Sequence, residues 1–491
     1  MSPATEQRGP GPLVPGWGEE AGAQVLESVR ETLPEQRWFA EKSAHISGIS
    51  VADHGSLGSG ATPYAWVLLQ VTFQDRPGSL YSAFFRREGG RIRPAEDDPG
   101  LVDALLAGLK SSARISTAKG TLTFRATAGS EGVLEHAGPV REVRRITSEQ
   151  SNTSVVIDGQ LIHKHLRRIA PGENPDVEVP EYLWTRTTFR NVPRPLGSLV
   201  YSAPGFPRAL VGTTQAFVPN EGDLWTYFLG ELAGTGGRVP PSLLTLATEL
   251  GSVTGRLHAA LASAPPDLPA FCAEPVREED VAHWQAGWDA TYQRARLALP
   301  EGLDRLLPGN RTLAEEVGRR LPLLPPKVAL ARGARLGDSL QTRIHGDYHL
   351  GQVMRTPTGL IILDFEGEPL RSLEERRAKQ SPLKDVAGML RSLDYAAHVA
   401  VRPPLPPGVG PSGDPSIPDR SSRQVQDRFL EGYWSVAGSS RPCWVDPKDP
   451  DLPRLLEFFV TEKVLYELCY ELQYRPAWTD IPLRALLKAI G

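Results

Sequence analysis

The chain has 491 residues, enough for two or three domains. Its 40% hydrophobic and 23% charged content is that of a soluble globular protein, and a net charge of −4 excludes the basic signature of a nucleic-acid binder. The Pro/Gly-rich start lacks a signal-peptide core, no run has the apolar length of a membrane span, and three scattered cysteines (Cys272, Cys443, Cys469) suit a reducing cytoplasm.

The first periodic segment runs from Glu19 to Leu33, where Ala21, Val25, Leu26, Val29 and Leu33 form a helical stripe that Pro34 ends. Trp38 and Phe39 then read as anchors tying that helix to strand-like runs at Ile46 to Val51, Ala65 to Phe73 and Leu80 to Arg86. A helix is expected over Leu101 to Leu109, with strands at Gly120 to Ala126 and Val140 to Arg145. Residues 1–135 thus form an expected α+β unit, its first ~18 residues flexible.

A β-rich unit over residues 136–219 is expected next. Its first strand leads into a polar turn holding Ser151, Asn152 and Thr153, which reads either as a plain hairpin turn or as a cradle for phosphate oxygens. On the strand Gln160 to Arg168, Lys164 shares a face with Ile162 and Leu166, so it is either an edge lysine in solvent or a paired inner-face lysine. Asn174 is a good N-cap with Pro175 at the first helical position, which places Glu178, and then Glu181, as ion-pair partners for Lys164. Two more strands follow, and the second, Ala209 to Phe217, reaches the linker Pro219-Asn-Glu-Gly-Asp.

From residue 220 to 491 the pattern turns helical: Leu224 to Leu232, Ser242 to Ala262, Glu278 to Leu299, Leu313 to Arg320 and Asp385 to Ala397. The Pro/Gly-dense stretch 402–422 reads as a mobile loop between helices. One segment interrupts the helices. In Arg343-Ile-His-Gly-Asp-Tyr-His-Leu-Gly-Gln-Val-Met, Asp347 lies in a loop and Gln352 five residues on. The apolar run Leu360 to Leu363 reads as a buried strand with Asp364 at its end. A carboxylate for the acceptor hydroxyl, an oxygen ligand and a second carboxylate for Mg²⁺ are what phosphoryl transfer requires. Protein kinases space their loop Asp and Asn in this way before Asp-Phe-Gly, whereas this chain has Gln352 and Asp364-Phe-Glu-Gly.

Near the end, at about 100° per residue, Lys463, Tyr466, Glu467, Tyr470, Glu471 and Tyr474 share one helical face opposite Leu465, Leu468 and Leu472. That face reads as a sugar surface, with carboxylates for hydroxyl pairs and rings for pyranose faces, or as a solvated Lys–Glu face.

Together these segments resemble the kinase-like fold of aminoglycoside and choline phosphotransferases and, more narrowly, the bacterial maltokinases. The carrying pieces are Gln36-Arg-Trp-Phe, Glu149-Gln-Ser-Asn-Thr-Ser-Val, Asn174-Pro-Asp-Val-Glu-Val, the His345 loop, Leu363-Asp-Phe-Glu-Gly-Glu-Pro, Glu375 to Ala397, and Glu462-Lys-Val-Leu-Tyr-Glu. The resemblance implies a bilobal α+β protein-kinase-like fold with an extra N-terminal cap domain over 1–135, a nucleotide-binding subdomain over 136–219 and a helical lobe over 220–491. It implies ATP, Mg²⁺ and transfer of the γ-phosphate to the anomeric hydroxyl of maltose, giving maltose 1-phosphate for α-glucan synthesis, with trehalose synthase as a partner.

In that scheme Asp347 is the base and Gln352 and Asp364 hold the metal. Ser151, Asn152, Thr153, Lys164, Glu178, Gln215, Phe217 and Val218 face the nucleotide. His345, Glu366, Arg377, Asp385, Glu467, Tyr470 and Glu471 face the sugar. Departures are Ala40-Glu41 before Lys42, where small residues are usual, and Tyr348, where Leu is usual. The alternatives are a kinase of another sugar such as glucosamine, an aminoglycoside-type phosphotransferase, or a pseudokinase partner of trehalose synthase. Lys164, Asp347, Gln352 and Asp364 are all present, which a scaffold does not need.

Overall fold

The computed structural model describes residues 13, 14, 17, 20–39, 41, 42, 44–58, 63–136, 138–147, 151–325, 339–368, 371–402, 414, 416–440 and 442–491. The chain divides into two compact units, Met1–Arg186 with Pro193–Pro219 and Thr187–Val192 with Asn220–Gly491. Among the described residues no helix is long and apolar enough to cross a membrane.

Unit 1 holds two antiparallel sheets. The first contains β1 (Ile46–Leu57), β2 (Tyr64–Phe73), β3 (Ser79–Glu88) and β4 (Arg91–Pro94). The second begins with β5 (Arg114–Ser116) and β6 (Thr121–Ala126) and takes β7 (Val143–Arg145), β8 (Thr153–Ile157) and β9 (Leu161–His165). A two-residue strand, β10 (Arg168–Ile169), returns to pair with β3 in the first sheet. β11 (Pro195–Ala203) and β12 (Phe206–Ala216) complete the second, in the order β5-β6-β11-β12-β9-β8-β7.

The apolar run of β2 is buried on both faces, which is why it shows little alternation. Ala65, Val67, Leu69 and Val71 meet Ala21, Val25, Val29 and Leu33 of α1 (Ala21–Thr32), together with Phe39. Trp66 and Leu68 point the other way, into a core with α2 (Pro99–Lys110) and strands of the second sheet. Asp98 caps α2 by accepting from the backbone N–H of Gly100 at 2.9 Å.

Expected units 1–135 and 136–219 are interleaved rather than successive. β6 pairs with β11, from Gly197↔Ala126 to Ser202↔Thr121, and β10 crosses back to β3. Register between strands far apart in sequence carries no local signal, so a boundary drawn at residue 135 divides one sheet.

β9 supplies a pH dependence. His163 and His165 are both buried; His163 Nδ1 bonds Thr214 Oγ1 at 2.9 Å and His165 Nε2 bonds Ser82 Oγ at 2.9 Å. Burial pushes the His163 imidazole down to about 4, and burial, then Arg167 and His163, push His165 well below its ordinary value. The unfolded chain therefore binds more protons than the folded one as pH falls below about 6.5. Stability is full above that value and is lost as pH falls through about 4, by about 3 kcal/mol from His163 alone. The thermal midpoint of this unit should drop between pH 7 and pH 4.5, and His163→Gln should flatten the slope. An unchanged slope in that variant would contradict the assignment.

Unit 2 is mainly helical: α5 (Leu224–Gly234), α6 (Pro241–Ala262), α7 (Glu278–Gly302), α8 (Pro308–Arg320), α9 (Leu373–Arg377), α10 (Leu383–Val399), α11 (Ile417–Ala437), α12 (Leu452–Tyr474) and α13 (Asp480–Ile490). Helices α3 (Glu131–His136) and α4 (Pro175–Arg186) belong to unit 1. Two ribbons join the helices of unit 2, β13 (Glu274–Pro275) with β14 (Leu340–Gln341), and β15 (Val353–Thr356) with β16 (Gly359–Ile362). Gly251 and Gly432 let α6 and α11 approach closely: a Cβ on Gly251 would lie 1.9 Å from Phe429 O, and one on Gly432 2.0 Å from Thr248 O.

Several boundaries differ from expectation; β1 continues past Val51 to Leu57, and the strand expected from Val140 starts at Val143. α8 starts at Pro308, five residues early, because proline is accepted in a first helical turn. α11 starts at Ile417 with Pro418 in its first turn, so the expected loop 402–422 is shorter at its end; residues 403–413 and 415 lie outside the described residues.

Candidate active site

The loop that carries Asp347 runs from β14 to a short 3₁₀ turn at Leu350–Gln352. Its backbone is held from below. The N–H groups of His345 and Gly346 donate to the two oxygens of Asp385 on α10, at 2.7 and 2.9 Å. Gly346 has φ +86°, a left-handed conformation that glycine adopts without strain. The His345 ring donates from Nε2 to Leu363 O at 2.8 Å, tying the loop to the end of β16. It packs against Phe365 with ring centroids 4.9 Å apart.

Asp385 is itself fixed by His258, whose Nε2 donates to Oδ2 at 3.2 Å. That sets the tautomer, so His258 Nδ1 accepts from the Tyr433 hydroxyl at 3.0 Å. Trp444 Nε1 donates to the same hydroxyl at 2.9 Å. Burial raises the Asp385 carboxyl, but His258, His345 and the Gly346 N–H outweigh it and hold it below the ordinary carboxylate range.

At the other end of the β15–β16 hairpin, Gln352 Nε2 donates to Asp364 Oδ2 at 3.0 Å. Asp364 takes φ +63°, an uncommon conformation for a residue with a Cβ. The two side chains together offer one carboxylate and one amide oxygen. That donor set fits Mg²⁺, which takes one or two protein oxygens and fills its octahedron with water and phosphate oxygens.

Asp347 opens into a cavity of about 210 Å³ that also takes Glu368, Lys384, Glu462, Lys463 and Tyr466 into its wall. Lys463 Nζ lies 3.0 Å from Glu368 Oε1 and 4.0 Å from Asp347 Oδ1. Glu368 also accepts from Arg371 Nε at 2.9 Å. Burial pushes the Glu368 carboxyl up, yet Lys463 and Arg371 outweigh it and hold it at about 2. The same pair works in reverse on Lys463: burial lowers it, while Glu368 and Asp347 raise it above the ordinary lysine range. Lys384, with its ammonium 5.5 Å from the Phe459 ring centroid, is lowered by burial, partly offset by Glu462.

Residues 142–367 match the model of the phosphotransferase enzyme family. The chain is 27% identical over 403 residues to a glucosamine kinase of Streptacidiphilus jiangxiensis, covering 81% of this chain and 82% of that protein. It is 26% identical over 403 residues to a glucosamine kinase of Mycolicibacterium smegmatis, covering 82% and 90%. Among solved structures, a glucosamine kinase in complex with glucosamine, ADP and inorganic phosphate superposes with a TM-score of 0.63 at 24% identity, covering 92% of this chain and 96% of that one. The chain is an ATP-dependent phosphotransferase of kinase-like fold.

Several residues expected at the sugar side either lie outside this cavity or are engaged within the fold. Asp385 belongs to the cavity wall but is 1% exposed, and its oxygens are taken by the backbone of the Asp347 loop and by His258, so it anchors that loop. His345, also 1% exposed, braces the loop from behind. On α12 the stripe turns away after Tyr466. Glu467 accepts from buried Arg391 at 2.9 Å, and Glu471, 1% exposed, accepts from the Tyr395 hydroxyl at 3.2 Å and from Arg475 at 2.6 Å. α10 covers these carboxylates with its own polar residues, which periodicity on α12 alone cannot reveal. Tyr470 is 40% exposed and packs on Tyr474 with centroids 4.9 Å apart. Neither Glu366 nor Arg377 is part of the cavity wall, but Arg376 is, and its Nη1 donates to the Glu366 carbonyl at 2.9 Å.

Among the wall residues that sequence reasoning missed are Glu368, Arg371, Lys384, Phe459 and Glu462. A signal existed for two of them: Glu368 is the second acid of Glu366-Gly-Glu-Pro, and Glu462 begins the very stripe that was read one turn too late.

In unit 1, Lys164 Nζ donates to Asp176 Oδ2 at 3.1 Å. Asp176 lies in the first turn of α4, two residues before Glu178, and is a partner the sequence reading did not name. Its own N–H donates to Asn174 Oδ1 at 2.9 Å, as the N-cap expectation required. Thr153 is buried and accepts from Arg167 Nε at 2.8 Å, so its hydroxyl is engaged inside the unit. Ser151 is exposed and accepts from Asn152 Nδ2 at 3.2 Å; Glu149 and Gln150 lie outside the described residues. Gln215 ends in the ladder opposite Ile162, and the Phe217 N–H donates to Gln160 O at 2.7 Å, with Val218 next in the chain.

Proposed function

We propose that the chain is a cytoplasmic sugar kinase that phosphorylates a neutral sugar, with maltose as acceptor and its anomeric hydroxyl as the attacking group. The observation that carries this is the charge balance of the cavity that Asp347 faces. Among the described residues its wall holds five Lys or Arg side chains and five carboxylates. A neutral polyol can be hydrogen-bonded by both, whereas an ammonium substrate calls for an excess of carboxylate. Asp347 accepts the hydroxyl proton, and Asp364 and Gln352 would hold Mg²⁺, which when bound neutralises charge on the transferring phosphoryl group. Lys164, oriented by Asp176, would take the α/β-phosphates.

A second reading, glucosamine as acceptor, is favoured by the two similar proteins that carry that name. Steady-state kinetics with maltose, glucose and glucosamine at saturating Mg-ATP separates the readings. The expected result is kcat/KM at least roughly ten-fold higher for maltose than for glucosamine, the scale of discrimination that one or two polar contacts supply. The reverse ranking would move the assignment to the amino sugar, and no turnover with any sugar would sink the sugar-kinase reading.

A further inference from the structure

Lys463 is poised rather than spent. Its ammonium makes a hydrogen bond to Glu368 at 3.0 Å but stops 4.0 Å short of Asp347 Oδ1, beyond hydrogen-bond length. Its Nζ also lies over the Tyr466 ring, 4.9 Å from the centroid. All four residues line the same cavity. An oxygen about 2.8 Å from each of two such atoms fits between them, at an angle near a right angle. A hydroxyl has one proton to donate and two lone pairs to accept with.

We propose that Lys463 is a second catalytic contact of the attacking hydroxyl, donating to its oxygen while Asp347 accepts its proton. This rests on the reading of the cavity as the acceptor site. With the proton directed at Asp347 and one lone pair directed at Lys463, the remaining lone pair has a single direction left, toward phosphorus. In the transfer step the new O–P bond forms, the bond from phosphorus to the β-phosphate oxygen breaks, ADP leaves with that electron pair, and the hydroxyl proton passes to Asp347. Orientation is the dominant demand when the transition state is loose. Lys463 meets it from a helix rather than from the loop, and Glu368 keeps the ammonium in place before substrate arrives.

The rival explanation is that Lys463 only neutralises Glu368. Lys463→Met, Glu368→Gln and the double variant tell the two apart. Glu368 retains Arg371 at 2.9 Å in Lys463→Met, so that variant keeps a paired carboxylate and should fold. The expected result is a kcat for sugar phosphorylation lowered roughly 10²–10³-fold in Lys463→Met, with KM for ATP unchanged and the double variant no faster. Lys463→Arg should recover only part of the rate, since a planar guanidinium cannot reproduce the single-point donor. Recovery to near wild-type kcat in the double variant would overturn the proposal, as would a Lys463→Met enzyme of normal kcat with only a lowered thermal midpoint. A wild-type protein that phosphorylates no sugar overturns this proposal and the acceptor reading together, whereas an active wild type with a fully active Lys463→Met overturns the lysine alone.

Discussion

Asp347→Asn should lower kcat by roughly 10²–10⁴-fold, the range that a positioned general base contributes, while KM for ATP changes little. The substitution keeps size and shape but removes the ability to take a proton. Its neighbours are not undone by it. The Asp347 side chain lies 4.0 Å from Lys463, which keeps Glu368 at 3.0 Å, and the loop is held through the backbone of His345 and Gly346 rather than through Asp347 itself. The loss therefore falls on the chemical step and not on folding. Pre-steady-state rates with the sugar acceptor give the number directly. A variant that keeps more than about a tenth of the wild-type rate would remove Asp347 from its role.

Asp385→Ala should damage both stability and rate, though no atom of Asp385 is expected to touch substrate. Its carboxylate receives the N–H groups of His345 and Gly346 and the Nε2–H of His258, all in the interior. Truncation leaves three buried donors without an acceptor, at about 1–3 kcal/mol each where relaxation does not rescue them. Unit 2 should lose about 3–5 kcal/mol, the scale measured when one partner of a buried charged network is removed. The loop would also be free to shift, and a displacement of Asp347 by about 1 Å costs roughly 10²-fold in rate. Urea unfolding and steady-state kinetics on the same preparation test both halves. Asp385→Asn, which retains one acceptor oxygen, should fall between. Normal stability in Asp385→Ala would show that the loop has another anchor.

What could be read from the sequence follows the range of the interactions involved. Asp347, Gln352 and Asp364 lie within eighteen residues on one loop and hairpin, so the spacing that the chemistry requires is a spacing in sequence. The Asn174 cap was legible for the same reason. The rest of the cavity wall was not. Lys463 and Glu368 meet from segments 95 residues apart, and only packing shows that they share a cavity. Helical periodicity placed Glu467 and Glu471 correctly on the polar face of α12, but it could not tell that Arg391 and Tyr395 from α10 cover that face. The resemblance put Asp385 toward the sugar, but Asp385 is buried and holds the backbone of the Asp347 loop, which its position in sequence does not show. In unit 1, local pattern found most strands yet could not order them, since β6 and β11 are joined across seventy residues by backbone register alone.

The most direct measurement of the central claim is the product itself. Wild-type protein, maltose and Mg-ATP should yield, by ³¹P and ¹H NMR, a phosphate coupled to the anomeric proton of the reducing glucose unit, and Asp347→Asn should leave that signal missing over the same time. ADP formed without any sugar phosphate, or a phosphate on the sugar that Asp347→Asn produces equally well, would contradict the account.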